Sequence, residues 1–108
     1  MEVTTIEEFN NSVSLKKFAV VDFYADWCGP CKKLGKELHE LESKLNDLQK
    51  ENFNLIKVNV DLAQDLAELY QVSSLPTLKL FIDGLEVQEL VGFSPSHIKT
   101  IKTKFNLS

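Results

Sequence analysis

Phe18-Ala19-Val20-Val21-Asp22-Phe23-Tyr24, then Ala25-Asp26, then Trp27-Cys28-Gly29-Pro30-Cys31, is the stretch that decides the fold. The first part is almost wholly apolar and ends at a turn, as a strand covered on both faces should. The Gly-Pro pair then makes a short turn, and Pro30 stands at a permitted first-turn position of the helix that follows. A strand feeding a helix through so tight a turn places the first sulfur at a helix N-terminus. Unpaired N–H groups and the macrodipole favour a thiolate there, which makes Cys28 the expected nucleophile. Cys31, one helical turn deeper on the same side, is the expected resolving thiol.

From Pro30 the pattern stays helical to about Lys50, with Leu34, Leu38, Leu41, Leu45 and Leu48 at alternating spacings of four and three. Such a stripe of about two heptads falls short of the ~3–4 that a coiled coil needs, so it is expected to face the chain's own core. Phe53 to Val60 reads as a second strand. Asp61, with Gln64 three residues later, is expected to cap a helix reaching about Tyr70. Thr77 to Ile82 and Leu85 to Val91 flank Asp83-Gly84, a two-residue hairpin signal. Ser94 as N-cap and Pro95 at N1 open a last helix. Upstream, Thr5 and Glu8 form a capping box for a helix through about Val13, and Val3-Thr4 is expected to add a short leading strand. Strands joined first by helices and then by a hairpin predict an α/β fold, its mixed sheet parallel at the crossovers and antiparallel at one edge.

The 108 residues suit one domain spanning 1–108, and 44% hydrophobic content with seven Phe can fill its core. A net charge of -4 without a run of Lys or Arg argues against nucleic acid or a membrane surface as partner. The first residues carry no basic and apolar leader pattern, and no apolar stretch approaches ~18 residues. The only two cysteines lie inside the motif, a usage that suits a reducing compartment. A soluble cytoplasmic monomer is the expectation.

A lone Cys-x-x-Cys also supplies half a zinc site, but a second pair is missing. The only imidazoles, His39 and His97, are expected to be solvated helix residues; no metal is expected. Asp22 is more telling. In a central strand its carboxylate leaves water just before the redox turn, and burial raises an acid's pKa. It could take the proton from Cys31 when that thiol attacks a mixed disulfide. The alternative, an edge-strand Asp facing solvent, is opposed by its apolar neighbours. Lys57 in the adjoining strand is then either its counter-ion or an outward-facing strand lysine. For Leu75-Pro76 the residues alone predict a trans bond.

The Val21–Lys32 segment, Lys57-Val58-Asn59-Val60-Asp61, Leu75-Pro76-Thr77, Asp83-Gly84 and Gly92 together resemble the thioredoxin family in order and spacing over nearly the whole chain. The resemblance implies a thioredoxin-like fold: a central mixed sheet of four to five strands with helices on both faces. It implies that Pro76 is cis and packs against the sulfurs, and that Trp27, Gly29, Pro30, Leu75, Pro76 and Gly92 line the substrate surface. It implies a general protein-disulfide reductase acting through a reversible Cys28–Cys31 disulfide. No cofactor is then bound, and electrons come from NADPH through a thioredoxin reductase to disulfide-containing protein substrates. A rival reading is a redox-dependent binding module or subunit of a larger enzyme. Three departures stand out. Lys36 replaces a kinking proline, so the helix should be straighter, and with Lys32 and Lys33 it makes a basic face that is either solvated or steers acidic partners. The chain is a few residues longer around Asn46 to Asn52, as extra helix and loop. Phe93 either staples the last helix by reaching Ile98 or enlarges the substrate surface.

Overall fold

A computed structural model describes residues 1–107. In chain order the elements are α1 (Ile6–Val13), β1 (Phe18–Tyr24), α2 (Gly29–Ser43), α3 (Asp47–Glu51), β2 (Phe53–Asn59), α4 (Gln64–Leu69), β3 (Thr77–Ile82), β4 (Leu85–Val91) and α5 (Ser96–Phe105). The strands form one sheet in the order β2-β1-β3-β4. β1 pairs parallel with β2 and antiparallel with β3, and the hairpin adds β4 at the edge. Asp83 at φ 51 and Gly84 at φ 81 make its two-residue turn, with both central residues in the left-handed region that such a turn requires.

Alternation along β1 splits the core in two. Val20 points to one face, where Leu34, Leu38 and Leu41 of α2 and Ile101 and Phe105 of α5 cover it. Val21 and Phe23 point to the other, where Phe9 and Val13 of α1 and Leu66 of α4 pack. Phe9 is fully buried, with its ring centroid 4.6 Å from Tyr70 and 5.8 Å from Phe81. Each such aromatic contributes roughly 1.5–3 kcal/mol through burial. Helices therefore flank both faces of the sheet, and β1, sandwiched between them, holds its residues away from water from Ala19 to Phe23.

The capping box on α1 is formed: the Thr5 hydroxyl accepts from Glu8 N–H and Glu8 reaches back to Thr5. Four expectations need correction. The helix predicted from Pro30 to Lys50 is two helices. Asn46 Oδ1 accepts from Gln49 N–H at 2.8 Å while Gln49 Oε1 accepts from Asn46 N–H at 2.9 Å, a second capping box that restarts the chain as α3. Leu45, just past the end of α2, is still buried but Leu48 is 68% exposed, so the buried leucine stripe stops before α3. α3 occupies the expected extra segment, and α2 runs unbroken through Lys36. Asp61 does not cap α4, whose N-cap is Ala63 without a side-chain bond. The leading strand at Val3-Thr4 shrinks to one parallel bridge between Glu2 and Lys57. α5 begins one residue late, after Pro95, although Ser94 Oγ still accepts from Ser96 N–H at 3.3 Å.

Candidate active site

Cys28 occupies the N-cap of α2 with an extended backbone, and its sulfur accepts from Cys31 N–H at 3.2 Å. Gly29 and Pro30 form the exposed first turn, and Pro30's missing N–H costs nothing where the helix has no acceptor to offer. The turn brings the two Cα atoms to 5.3 Å, and Cys28 and Cys31 are joined as a disulfide. Both are buried, at 6% and 2% exposure, against Ala25, Tyr24, Val60 and Leu75.

The two sulfurs have different outlooks. Cys28 lines an open groove of about 570 Å³ with Trp27, Gly29, Pro30 and Leu75, and Val60 and Val72 supply part of its apolar wall. Cys31 does not reach that groove. It lines a second cavity, of about 270 Å³, together with Tyr24, Gly35, His39 and Lys57. Trp27 is 72% exposed, and its Nε1 donates to Asp61 Oδ2 at 2.9 Å, which is where the Asp61 carboxylate is engaged instead of capping α4.

Asp22 is fully buried. The parallel register sets it opposite Lys57, both on the α2 side of the sheet, and Lys57 Nζ lies 3.0 Å from Asp22 Oδ2. That contact is an ion pair: by hydrogen-bond geometry neither carboxylate oxygen has an aligned partner among the described residues. Burial pushes the Asp22 pKa up, and the Lys57 charge only partly offsets that. Lys57 also lies over the Tyr24 ring, 4.6 Å from its centroid. Tyr24 in turn donates to the Glu2 carboxylate at 2.6–2.7 Å, and burial together with that carboxylate raises the phenol's pKa.

The Leu75–Pro76 peptide is cis, as the resemblance implied and the residues alone did not. Pro76 is buried at the start of β3, and its carbonyl accepts from Gly92 N–H at 2.8 Å, with Gly92 at φ 77. Pro76, Gly92 and Phe93 lie outside the lining of the groove that holds Cys28. Phe93 is half-buried against the core cluster on the α2 and α5 face, as is Ile98, and Lys33 Nζ lies 5.3 Å above its ring. His39 is exposed, whereas His97 is half-buried with Nε2 3.0 Å from the Gly92 carbonyl oxygen, so it is not the solvated residue expected. Sequence reasoning missed Val60 and Val72 as groove walls and Gly35 beside Lys57. Only Val60 had a visible signal, as the last apolar residue of the predicted second strand.

The chain matches the Thioredoxin family profile over residues 1–104. It is 39% identical over 95 residues to Thioredoxin-1 of Saccharomyces cerevisiae, covering 88% of this chain and 87% of that protein. It is 37% identical over 94 residues to a thioredoxin of Mycoplasma genitalium, covering 87% of each. Among solved structures, a mutant thioredoxin from Halobacterium salinarum superposes with a TM-score of 0.85 at 33% identity, over 100% of this chain and 92% of that one. The disulfide at the head of α2, the sheet order and these likenesses lead to one conclusion: the chain belongs to the thioredoxin family and is a dithiol–disulfide oxidoreductase.

Proposed function

We propose that this single domain, residues 1–108, works as a monomeric cytoplasmic electron carrier that reduces protein disulfides and is itself reduced by a thioredoxin reductase drawing on NADPH. In the first step the Cys28 thiolate attacks one sulfur of a substrate disulfide. A Cys28–substrate bond forms, and the other substrate sulfur leaves as thiolate to be protonated from water. In the second step Cys31, deprotonated by Asp22, attacks Cys28 Sγ. The Cys28–Cys31 bond closes, the second substrate sulfur leaves, and two electrons have passed from protein to substrate.

The single observation that carries this reading is the unequal outlook of the sulfurs: Cys28 on the open groove, Cys31 on the inner cavity that it shares with Lys57. A substrate segment lying along Trp27, Gly29, Pro30 and Leu75 meets Cys28 first. Beyond the groove lining, Pro76, Gly92 and Phe93 would extend that surface, the first two joined by the bond from Gly92 N–H to the Pro76 carbonyl. Asp22 fits the base, because burial outweighs the nearby Lys57 charge and raises its pKa, so it holds a proton more readily than an ordinary carboxyl. Lys57 keeps its charged form accessible.

The test is reduction of insulin disulfides, by protein with dithiothreitol and then by protein with NADPH and a thioredoxin reductase. Turnover of both above the reagent blanks is expected. Failure with both would move weight to a redox-dependent binding module that presents the exposed Trp27 to a partner.

A further inference from the structure

Gly35 stands in the interior of α2, one turn beyond Cys31 on the same helix face. Its backbone does not explain the glycine, since among the described glycines only Gly84 and Gly92 have positive φ. In a helix interior, glycine is less stable than alanine. Space is the remaining reason. Apart from the adjoining backbone of α2, a Cβ at Gly35 would meet one heavy atom within 4 Å among the described residues, Lys57 Nζ at 3.2 Å. The ammonium therefore occupies the notch where an alanine methyl would begin.

We propose that Gly35 is a positioning residue for the redox reaction: the notch it leaves in α2 lets the Lys57 ammonium settle beside Asp22 and sets the length of that buried ion pair. The other sides of the ammonium are fixed already. The Tyr24 ring lies beneath it, itself held by Glu2, and Asp22 Oδ2 lies 3.0 Å away. With a methyl at position 35 the ammonium must give by a few tenths of an ångström. The Tyr24 ring and the Asp22 carboxylate already occupy two of its other sides, so the displacement is expected to lengthen the pair, which is the one cationic contact of Asp22 within 4 Å among the described residues. The charged groups acting on Asp22 are Lys57 from β2, Glu2 from the N-terminal segment and His39 from α2, and only Lys57 touches the notch. The consequence for turnover rests on the reading of Asp22 as the base for Cys31; the consequence for the ion pair does not.

The experiment follows the Asp22 carboxyl by carbon NMR across pH in the oxidised protein, where Cys28 and Cys31 do not titrate. It compares the wild type, Gly35→Ala, Lys57→Met and the Lys57→Met, Gly35→Ala double variant. Gly35→Ala is expected to melt no lower than the wild type. Its Asp22 midpoint should move up by about half a pH unit, the size expected when a buried pair lengthens slightly at an effective dielectric near 20. In the Lys57→Met background the same substitution should move nothing. An unchanged midpoint in Gly35→Ala, with or without a lower melting temperature, would overturn the proposal and leave Gly35 a packing residue. So would a shift that persists without Lys57. The acid limb of insulin reduction should rise with the midpoint. A midpoint that moves while that limb stays put would support the positioning role and remove Asp22 as the base.

Discussion

Asp22 and Lys57 are register partners across the β1/β2 ladder, and their charged ends meet at 3.0 Å on the side of the sheet covered by α2. The pair sits where water is scarce: Asp22 is fully buried and the Lys57 side chain is 17% exposed. Burial outweighs the attraction for Asp22, so the folded protein holds that carboxyl proton more tightly than the unfolded chain does.

Asp22 therefore costs stability as it ionises. Its folded pKa lies above the unfolded value near ~3.9, so its contribution is most favourable below about pH 4 and declines as pH rises through the folded pKa. Asp22→Asn should flatten that decline and raise stability at pH 7 relative to its value at pH 4, because the amide does not ionise. Turnover should fall, by up to the roughly 100-fold at the low end of what a positioned base supplies. Urea unfolding at several pH values and insulin reduction check both; a less stable variant with wild-type turnover would return Asp22 to a structural role.

Reduced protein should alkylate at Cys28 first. Cys28 caps α2 and borders the open groove, whereas Cys31 is 2% exposed and borders the inner cavity. Limiting iodoacetamide near neutral pH, followed by peptide mapping, reads the order directly, and earlier labelling of Cys31 would reverse the assigned roles.

Removing the resolving thiol should leave the first step intact and block the second. Cys31→Ser incubated with cell extract should accumulate mixed disulfides through Cys28 that reductant releases, and Cys28→Ser should accumulate few. Non-reducing gels of the two variants give the comparison. Equal capture would mean that the groove does not select the attacking sulfur.

The capping box that starts α3 should be worth about 1 kcal/mol, because Asn46→Ala strips the Gln49 N–H of its acceptor. The loss should appear as a lower urea midpoint with unchanged insulin reduction, α3 lying well along the chain from the dithiol. A neutral substitution would show that water replaces the cap at no cost.

The redox turn was legible because its determinants are local. An apolar run, a Gly-Pro pair and two cysteines three apart suffice to put Cys28 on a helix end, and the structure places it there. Asp83-Gly84 and the Thr5–Glu8 box were legible for the same reason, each being a few residues whose backbone preferences are met within their own turn. The Asn46–Gln49 box was equally local but was masked by Leu48, which continues the leucine spacing and yet points to solvent. Periodicity records only that a helix face is possible, and a cap decides where the backbone breaks.

Sequence by itself determined the order of the four strands, the dithiol and the apolar character of β1, since these depend on neighbours along the chain. Tertiary structure alone decided which distant groups meet. Asp61 turns to the Trp27 indole instead of capping α4, Val60 and Val72 wall the groove, and Lys57 comes to rest in the notch at Gly35. Each of those outcomes depends on the register of β1 against β2 and on how closely α2 and α4 approach the sheet. Those are distances between segments far apart in the chain, set by how the two halves of the core fill, and no local pattern encodes them.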